Sequence, residues 1–325
     1  MNKGSFLRRL RRRAGAGLLA LGLTAGLVAC GSEDASSGSG TVTIQHVMGE
    51  TTIAGTPARV VTLGPQWLDA ALALGVTPVG YLVPGLAAGT TVPWQPAIPE
   101  SAKRIEATGD TVEAIAALEP DLILAPSYMA DRTMYEKLSE LAPTIDSLST
   151  AQVDSWRDQV TALGRVLRKE SEAAQVISNV QAKSDAVLAA HPGLRGKTFL
   201  TCMLTGPAQL MVLADPKDGS AELFTGLGMT IPDNIVREAP TGGRLALSPE
   251  RLGDLTSDLL VCGAMPSLES KFKELPGYSA LPAVRTGGIA FVNVVDINAI
   301  NTPTALSVPY VLEKLEPNFA KISGS

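Results

Sequence analysis

From residue 59 onward the apolar positions follow two alternating rhythms. Short β-branched runs alternate with stretches in which apolar residues recur every three or four positions. Arg59–Gly64 (RVVTLG) reads as a strand, Leu68–Leu74 as a helix stopped by Gly75, and Pro78–Leu82 as a second strand. Val112–Leu118 reads as a helix, and Asp121–Ala125 as a buried strand between Pro120 and Pro126. Tyr135–Leu141 reads as a helix and Thr144–Leu148 as a strand. This order predicts an α/β fold, with a mainly parallel sheet covered by helices on both faces.

Val153, Trp156, Val160, Leu163 and Leu167 then mark one face of a helix. Glu170–Ala190 contains neither Gly nor Pro and is closed by Pro192-Gly193. At about 1.5 Å per residue this second helix spans about 30 Å, long enough to be a spacer. The second half of the chain then repeats the first. Glu113-Ala-Ile-Ala-Ala-Leu-Glu-Pro-Asp-Leu-Ile-Leu124 aligns without a gap on Glu250-Arg-Leu-Gly-Asp-Leu-Thr-Ser-Asp-Leu-Leu-Val261. Arg59 and Lys197 open strands at matching distances upstream. A repeat this long is not a solenoid. It predicts two similar βα lobes bridged by that one long helix.

Ahead of these elements, Arg8, Arg9, Arg11, Arg12 and Arg13 precede the uncharged apolar run Ala14–Ala29. That run is shorter than the roughly 20 residues a membrane-spanning helix needs, and reads as a secretion signal. It ends in Leu27-Val28-Ala29-Cys30, which resembles the lipobox of bacterial lipoproteins. The resemblance implies cleavage before Cys30, diacylglycerol on its thiol, and a lipid-anchored place on the outer face of a cell membrane. The Gly/Ser-rich stretch after it is a flexible tether. The expected organisation is a signal peptide over 1–29, a tether over 30–40, a first lobe over 41–168, a bridging helix over 169–192 and a second lobe over 193–325.

The formal net charge is −5 and falls further once the basic leader is removed, which argues against a nucleic-acid partner. Two histidines, no Cys-x-x-Cys and no His-Glu-x-x-His argue against a built-in metal site, and no cofactor is expected. His46 falls in a hairpin-like segment and His191 at a helix end, both as structural residues. Gly196-Lys197-Thr198 lacks the first glycine of a phosphate loop, and neither Gly-x-Ser-x-Gly nor a Gly-x-Gly-x-x-Gly helix start is present. With these motifs absent, the chain is not expected to be an enzyme. A secreted hydrolase is the alternative from another class. Cys202 and Cys262 lie on strands that correspond to Arg59–Gly64 and Asp121–Ala125, neighbours in a doubly wound order. The sequence leaves open both a disulfide and two buried thiols.

Taken together, Pro57-Ala-Arg-Val-Val-Thr-Leu63, Leu74-Gly-Val-Thr-Pro-Val-Gly80, the two Glu-to-Asp-Leu units, Leu141-Ala-Pro-Thr144 and Gly196-Lys-Thr-Phe199 resemble a known family. It comprises the substrate-binding lipoproteins of bacterial ABC importers for iron-siderophores, heme and cobalamin. The resemblance implies a monomer that captures a ferric siderophore between its lobes and passes it to a membrane permease dimer, with heme or cobalamin as alternative ligands. It further implies that Glu113 and Glu250, one per lobe, meet arginines on the two permease subunits. As helix-start acids, the same two residues also suit capping.

Ligands of open α/β sheets gather at the carboxyl ends of strands. There the first half offers Gly64, Gln66, Trp67, Tyr81, Trp94, Ser127, Tyr128 and Arg132. The second offers Met203, Thr205, Met265, Asn298 and Asn301, with Arg244 in a Gly-Gly turn. Aromatic residues are only 4% of the chain, so those in loops stand out. Aromatic walls with one or two arginines suit a large, partly apolar, often anionic chelate. The expected contacts are Trp67, Tyr81, Trp94, Tyr128, Arg132, Arg244 and Asn298.

Overall fold

The computed structural model describes residues 40–83, 92–107, 109–206, 209–263 and 266–324. The signal segment, Cys30, the tether up to residue 39, and Met265 lie outside the described residues. No helix among the described residues is long and apolar enough to cross a membrane.

The chain opens with an antiparallel hairpin of β1 (Thr41–His46) and β2 (Gly49–Ala54). Alternate residues Val42, Ile44 and Ile53 are buried, as the two-residue period of a strand dictates. Five parallel strands follow: β3 (Val60–Leu63), β4 (Gly80–Leu82), β5 (Lys103–Arg104), β6 (Leu122–Leu124) and β7 (Thr144–Ile145), in the spatial order β5-β4-β3-β6-β7. β3 and β6 are buried along their whole length, as a sheet covered on both faces requires.

The covering helices are α1 (Pro65–Ala73), α2 (Thr111–Ala116), α3 (Arg132–Leu141) and α4 (Trp156–Val166). One face of the sheet packs Val61, Leu63 and Ile123 against Ile115 and Leu138 of α2 and α3. The other packs Val60, Leu122 and Leu124 against Trp67 and Leu163 of α1 and α4. α5 (Glu170–Ala190) is the long helix, with the bounds expected from its sequence. Its buried stripe is Ala173, Val180, Ser184 and Leu188.

The second half holds β8 (Phe199–Gly206), β9 (Gln209–Leu213), α6 (Glu222–Thr225), α7 (Asp233–Arg237), β10 (Arg244–Leu247) and β11 (Leu259–Gly263). After these come α8 (Pro266–Lys273), α9 (Pro282–Thr286), β12 (Ile289–Val292), α10 (Val294–Asn301) and α11 (Ser307–Ser323). Its sheet runs β10-β9-β8-β11-β12. β8, β11 and β12 are parallel, matching β3, β6 and β7 of the first sheet. The sheets are mainly parallel, as expected, with antiparallel pairing added in the second half. β9 pairs antiparallel with β8, and β10 antiparallel with β9, so the second sheet is mixed and the repeat covers only part of each lobe. Cys202 and Cys262 face each other in the β8–β11 register with Cα atoms 4.7 Å apart and form a disulfide.

Two local expectations also change. α1 begins at Pro65, three residues before Leu68, because proline suits the first helical position. The segment carrying Glu250 is a 3-10 turn, Pro249–Asp254, and the Ser248 side chain makes no capping hydrogen bond.

Candidate functional site: the seam between the two sheets

β3 ends at Leu63 and hands the chain to Gly64, whose φ of 88° and ψ of 156° favour glycine. α1 follows and carries polar side chains inward from an otherwise apolar helix. Gln66 is buried, and its amide donates to the Asp154 carbonyl at 3.2 Å and to the Pro303 carbonyl at 3.0 Å. Pro303 follows α10, which itself follows β12. The segments beyond the carboxyl ends of one strand in each sheet thus meet at one seam.

A second strip of contacts lies between residues 153–157 and 218–222. Gly219 N donates to Val153 O at 2.8 Å, and Val153 N to Asp218 Oδ2 at 3.3 Å. A Cβ at Gly219 would collide with the Asp154 carbonyl, so the backbones can approach this closely only with glycine there. Glu222 accepts from Ser155 Oγ at 3.0 Å and pairs with Arg157 at 2.6 Å. Arg244 Nη2 donates to Asp218 Oδ1 at 3.1 Å and to Ser220 Oγ at 2.7 Å. The Asp218 side chain is 1% exposed, so this ion pair is shielded from solvent on one side.

Above the first sheet, Tyr128 is 44% exposed. Burial of its hydroxyl and the nearby charge of Asp154 push that group well above the ordinary tyrosine range. It therefore stays a neutral hydroxyl at any physiological pH. Asp154 is shaped by its loop: Oδ2 accepts from Leu148 N at 2.9 Å, and Oδ1 from Ser149 N at 2.9 Å and Ser149 Oγ at 2.8 Å. Asp146 accepts from Ser127 Oγ at 2.6 Å and Ser147 N at 2.7 Å. Burial raises the pKa of both acids despite these bonds.

The expected contact residues fall in different settings. Tyr81 is half-buried on β4, one residue before its end, paired with Thr62 and Arg104. Arg132 is exposed at the start of α3, behind the cap Asp131. Asn298 is half-buried on α10. Trp94 is half-buried; its indole N–H donates to Asp69 Oδ2 at 3.0 Å and its ring lies against Tyr310 at 5.3 Å. Trp67 is 0% exposed and belongs to the core beneath α1, so it supports the seam from below and offers no open surface. Glu113 and Glu250 are both exposed. Gln66 was among the strand-end residues offered from sequence, whereas three seam residues had no role assigned there: Asp69, Asp154 and Thr304. For Asp69 a signal exists. It is the single charge in α1, and a helix apolar on all sides is buried, so its acid must find partners inside.

Chemically the seam offers aromatic faces, hydroxyl and amide donors, and guanidinium groups, all suited to holding a ligand without covalent chemistry. Among the described residues no group of three His, Cys, Asp or Glu side chains is arranged to hold a metal ion.

A family model described as periplasmic binding protein matches residues 60–293. The Fe(3+)-citrate-binding protein YfmC of Bacillus subtilis is 27% identical over 279 residues, covering 80% of this chain and 82% of that protein. A periplasmic solute binding protein from Mycobacterium smegmatis superposes with a TM-score of 0.71 at 28% identity, over 88% of this chain and 99% of that one. PiaA of Streptococcus pneumoniae, solved in complex with ferrichrome, superposes with a TM-score of 0.73 at 24% identity, over 87% and 99% of the two chains.

Proposed function

The chain belongs to the periplasmic binding protein family, and we propose that it is the substrate-binding lipoprotein of an ABC importer for a ferric siderophore. The observation that carries this reading is the seam: two sheets joined through α5 present the segments beyond their strand ends to each other across polar, aromatic and guanidinium side chains. Large chelates need such a concave, partly apolar site with a few fixed polar groups. Two relatives support the ligand class, one named for ferric citrate and one solved with ferrichrome.

In this reading residues 41–168 and 193–325 are the lobes and 169–192 the bridge. Tyr81, Tyr128, Arg132, Arg244 and Asn298 contact the ligand, Trp94 sits at the junction, and Trp67 backs it from the core. Arg244 is held ready by Asp218, which fixes its guanidinium at small entropic cost. After cleavage of 1–29, Cys30 carries the lipid that keeps the monomer on the extracytoplasmic face of the cell membrane, where Glu113 and Glu250 meet the permease dimer.

Titration of tryptophan emission with ferrichrome, ferric citrate, ferrioxamine, heme and cobalamin tests the ligand class. Saturable quenching by a ferric siderophore supports the reading. Binding of heme or cobalamin alone would reassign the ligand within the same fold, and no binding by any of the five would overturn the reading.

A further inference from the structure

Asp69 lies on α1 and is 1% exposed. Its carboxyl gathers three side-chain donors from two distant stretches of chain. The Trp94 indole N–H reaches Oδ2 at 3.0 Å, and the Gln95 amide donates to Oδ1. The Thr304 hydroxyl donates to Oδ2 at 2.6 Å from a residue 235 positions further along. Thr304 is itself fixed, because its hydroxyl accepts from Ser307 N at 2.9 Å and Leu306 N at 3.2 Å. Gln66, one helical turn before Asp69, grips the adjacent Pro303 carbonyl. The Trp94 ring completes the junction by packing on Tyr310 of α11.

We infer that Asp69 is a positioning residue that fastens the Trp94–Gln95 segment and α1 to the 303–304 segment, and so sets the spacing of the two sheets across the seam. Burying a carboxyl costs several kcal/mol unless it is fully hydrogen-bonded, and a helix that needed only apolar packing would carry Ala or Leu at this position. The acid is explained by its three donors, since no single neutral side chain of that length accepts from all three in this geometry.

The charge state supports the assignment. Burial pushes the Asp69 carboxyl up to about 6, with the three hydrogen bonds acting against that rise. Among the described residues no charged side chain pairs with it. On α11, Lys314 pairs with Asp296 at 2.8 Å, and Asp296 also accepts from the Tyr310 hydroxyl at 2.6 Å. On α4, which packs against α1, Arg157 is engaged by Glu222 and Gln181. A proton arriving on Asp69 goes to Oδ1, where Gln95 can turn its amide and accept. Oδ2 already receives Trp94 and Thr304, and Thr304 has its own acceptor sites filled. The Trp94 environment therefore changes as Asp69 titrates.

The test uses the full mature chain. Without ligand, Trp emission of the wild type should step between about pH 5 and pH 7, centred near 6. The step should vanish in Asp69→Asn, and in Trp94→Phe because the reporter is gone. A step that survives in both variants overturns the inference. The binding arm rests on the reading under Proposed function and uses ferrichrome or ferric citrate, whichever quenches the wild type. Asp69→Ala should weaken it about tenfold or more, the scale of one charge-assisted hydrogen bond. Asp69→Asn, which keeps the reach and two acceptances, should recover most of that loss while leaving affinity independent of pH across the same window. If Asp69→Ala does not fold, the Asp69→Asn emission and affinity profiles decide alone. If no chelate binds but the emission step behaves as described, the ligand reading fails and the positioning role stands.

Discussion

The hydroxyl of Tyr128 lies 2.8 Å from the place a Cβ would occupy on Gly64. Gly64 also holds φ at 88°, a conformation a side chain tolerates poorly. The end of β3 and the loop after β6 are thus matched to each other through the absence of a side chain. Gly64→Ala should cost about 1–3 kcal/mol from backbone strain and displace Tyr128 from the seam. A thermal melt reads the first effect and a ferric-chelate titration the second. A variant with unchanged melting and unchanged affinity would show that the contact constrains nothing.

Much of this frame is legible in the sequence, for identifiable reasons. Glu170–Ala190 lacks any helix breaker, so its ends could be placed. The repeated Asp-Leu pairs mark one structural task performed twice. Asp121 accepts from Arg59 N and Ala58 N, and Asp258 from Thr198 N and Lys197 Nζ, each tying a central strand to its neighbour. The antiparallel β9 and β10 were not legible. The two residues between β8 and β9, Pro207 and Ala208, carry no Asn-Gly or Asp-Gly turn signal, and β10 joins β9 only after a long excursion. The seam was legible only in part. Aromatic residues advertised it, whereas Gln66 and Asp154 act through carbonyls and loop amides that composition does not reveal.

The Cys202–Cys262 disulfide closes a loop with a sequence separation of 60. By the chain-entropy account such a closure is worth about 4 kcal/mol. Removing it through Cys202→Ser and Cys262→Ser together should lower the denaturant midpoint of the mature protein accordingly. Alkylation of the unreduced, unfolded chain followed by mass measurement checks the bond itself. Labelling at both cysteines before any reductant is added would refute it.

His46 makes the fold sensitive to acid. Thr51 spends its hydroxyl proton on the Thr144 carbonyl at 2.7 Å, so His46 Nε2 must donate to Thr51 at 2.9 Å and Nδ1 is left as a buried acceptor. Burial lowers the pKa of the ring, partly offset by the charge of Asp146. A base whose folded pKa lies below its unfolded 6.5 stabilises the fold above 6.5 and loses that contribution as pH falls further. Asp69 and Asp146, with raised values, act in the opposite sense. The comparison with His46→Gln isolates the histidine together with its coupling to Asp146. Between pH 7 and pH 5 the wild type should lose more stability in urea than the variant does, and equal losses would remove His46 from the acid response.

Glu113 and Glu250 offer the clearest separation of a structural from a recognition role. Both stand in a first turn, where an acid earns about 0.3–1 kcal/mol from the helix dipole. α2 has six residues, and Asp110 caps its start by accepting from the Glu113 amide at 3.0 Å, one half of a capping box. Glu250 sits in a 3-10 turn whose N-cap, Ser248, makes no side-chain bond. Both residues are exposed, and among the described residues neither carboxylate has a hydrogen-bond or ion-pair partner. The docking role proposed above would draw on these two exposed, unpartnered carboxylates. The change Glu113→Gln with Glu250→Gln should shift stability by less than about 0.5 kcal/mol and leave chelate affinity as it is. Uptake and ATPase stimulation with the cognate permease in proteoliposomes should fall sharply, and each single change should fall between. If transport survives the double change, the acids serve their turns alone, and docking must lie elsewhere on the two lobes.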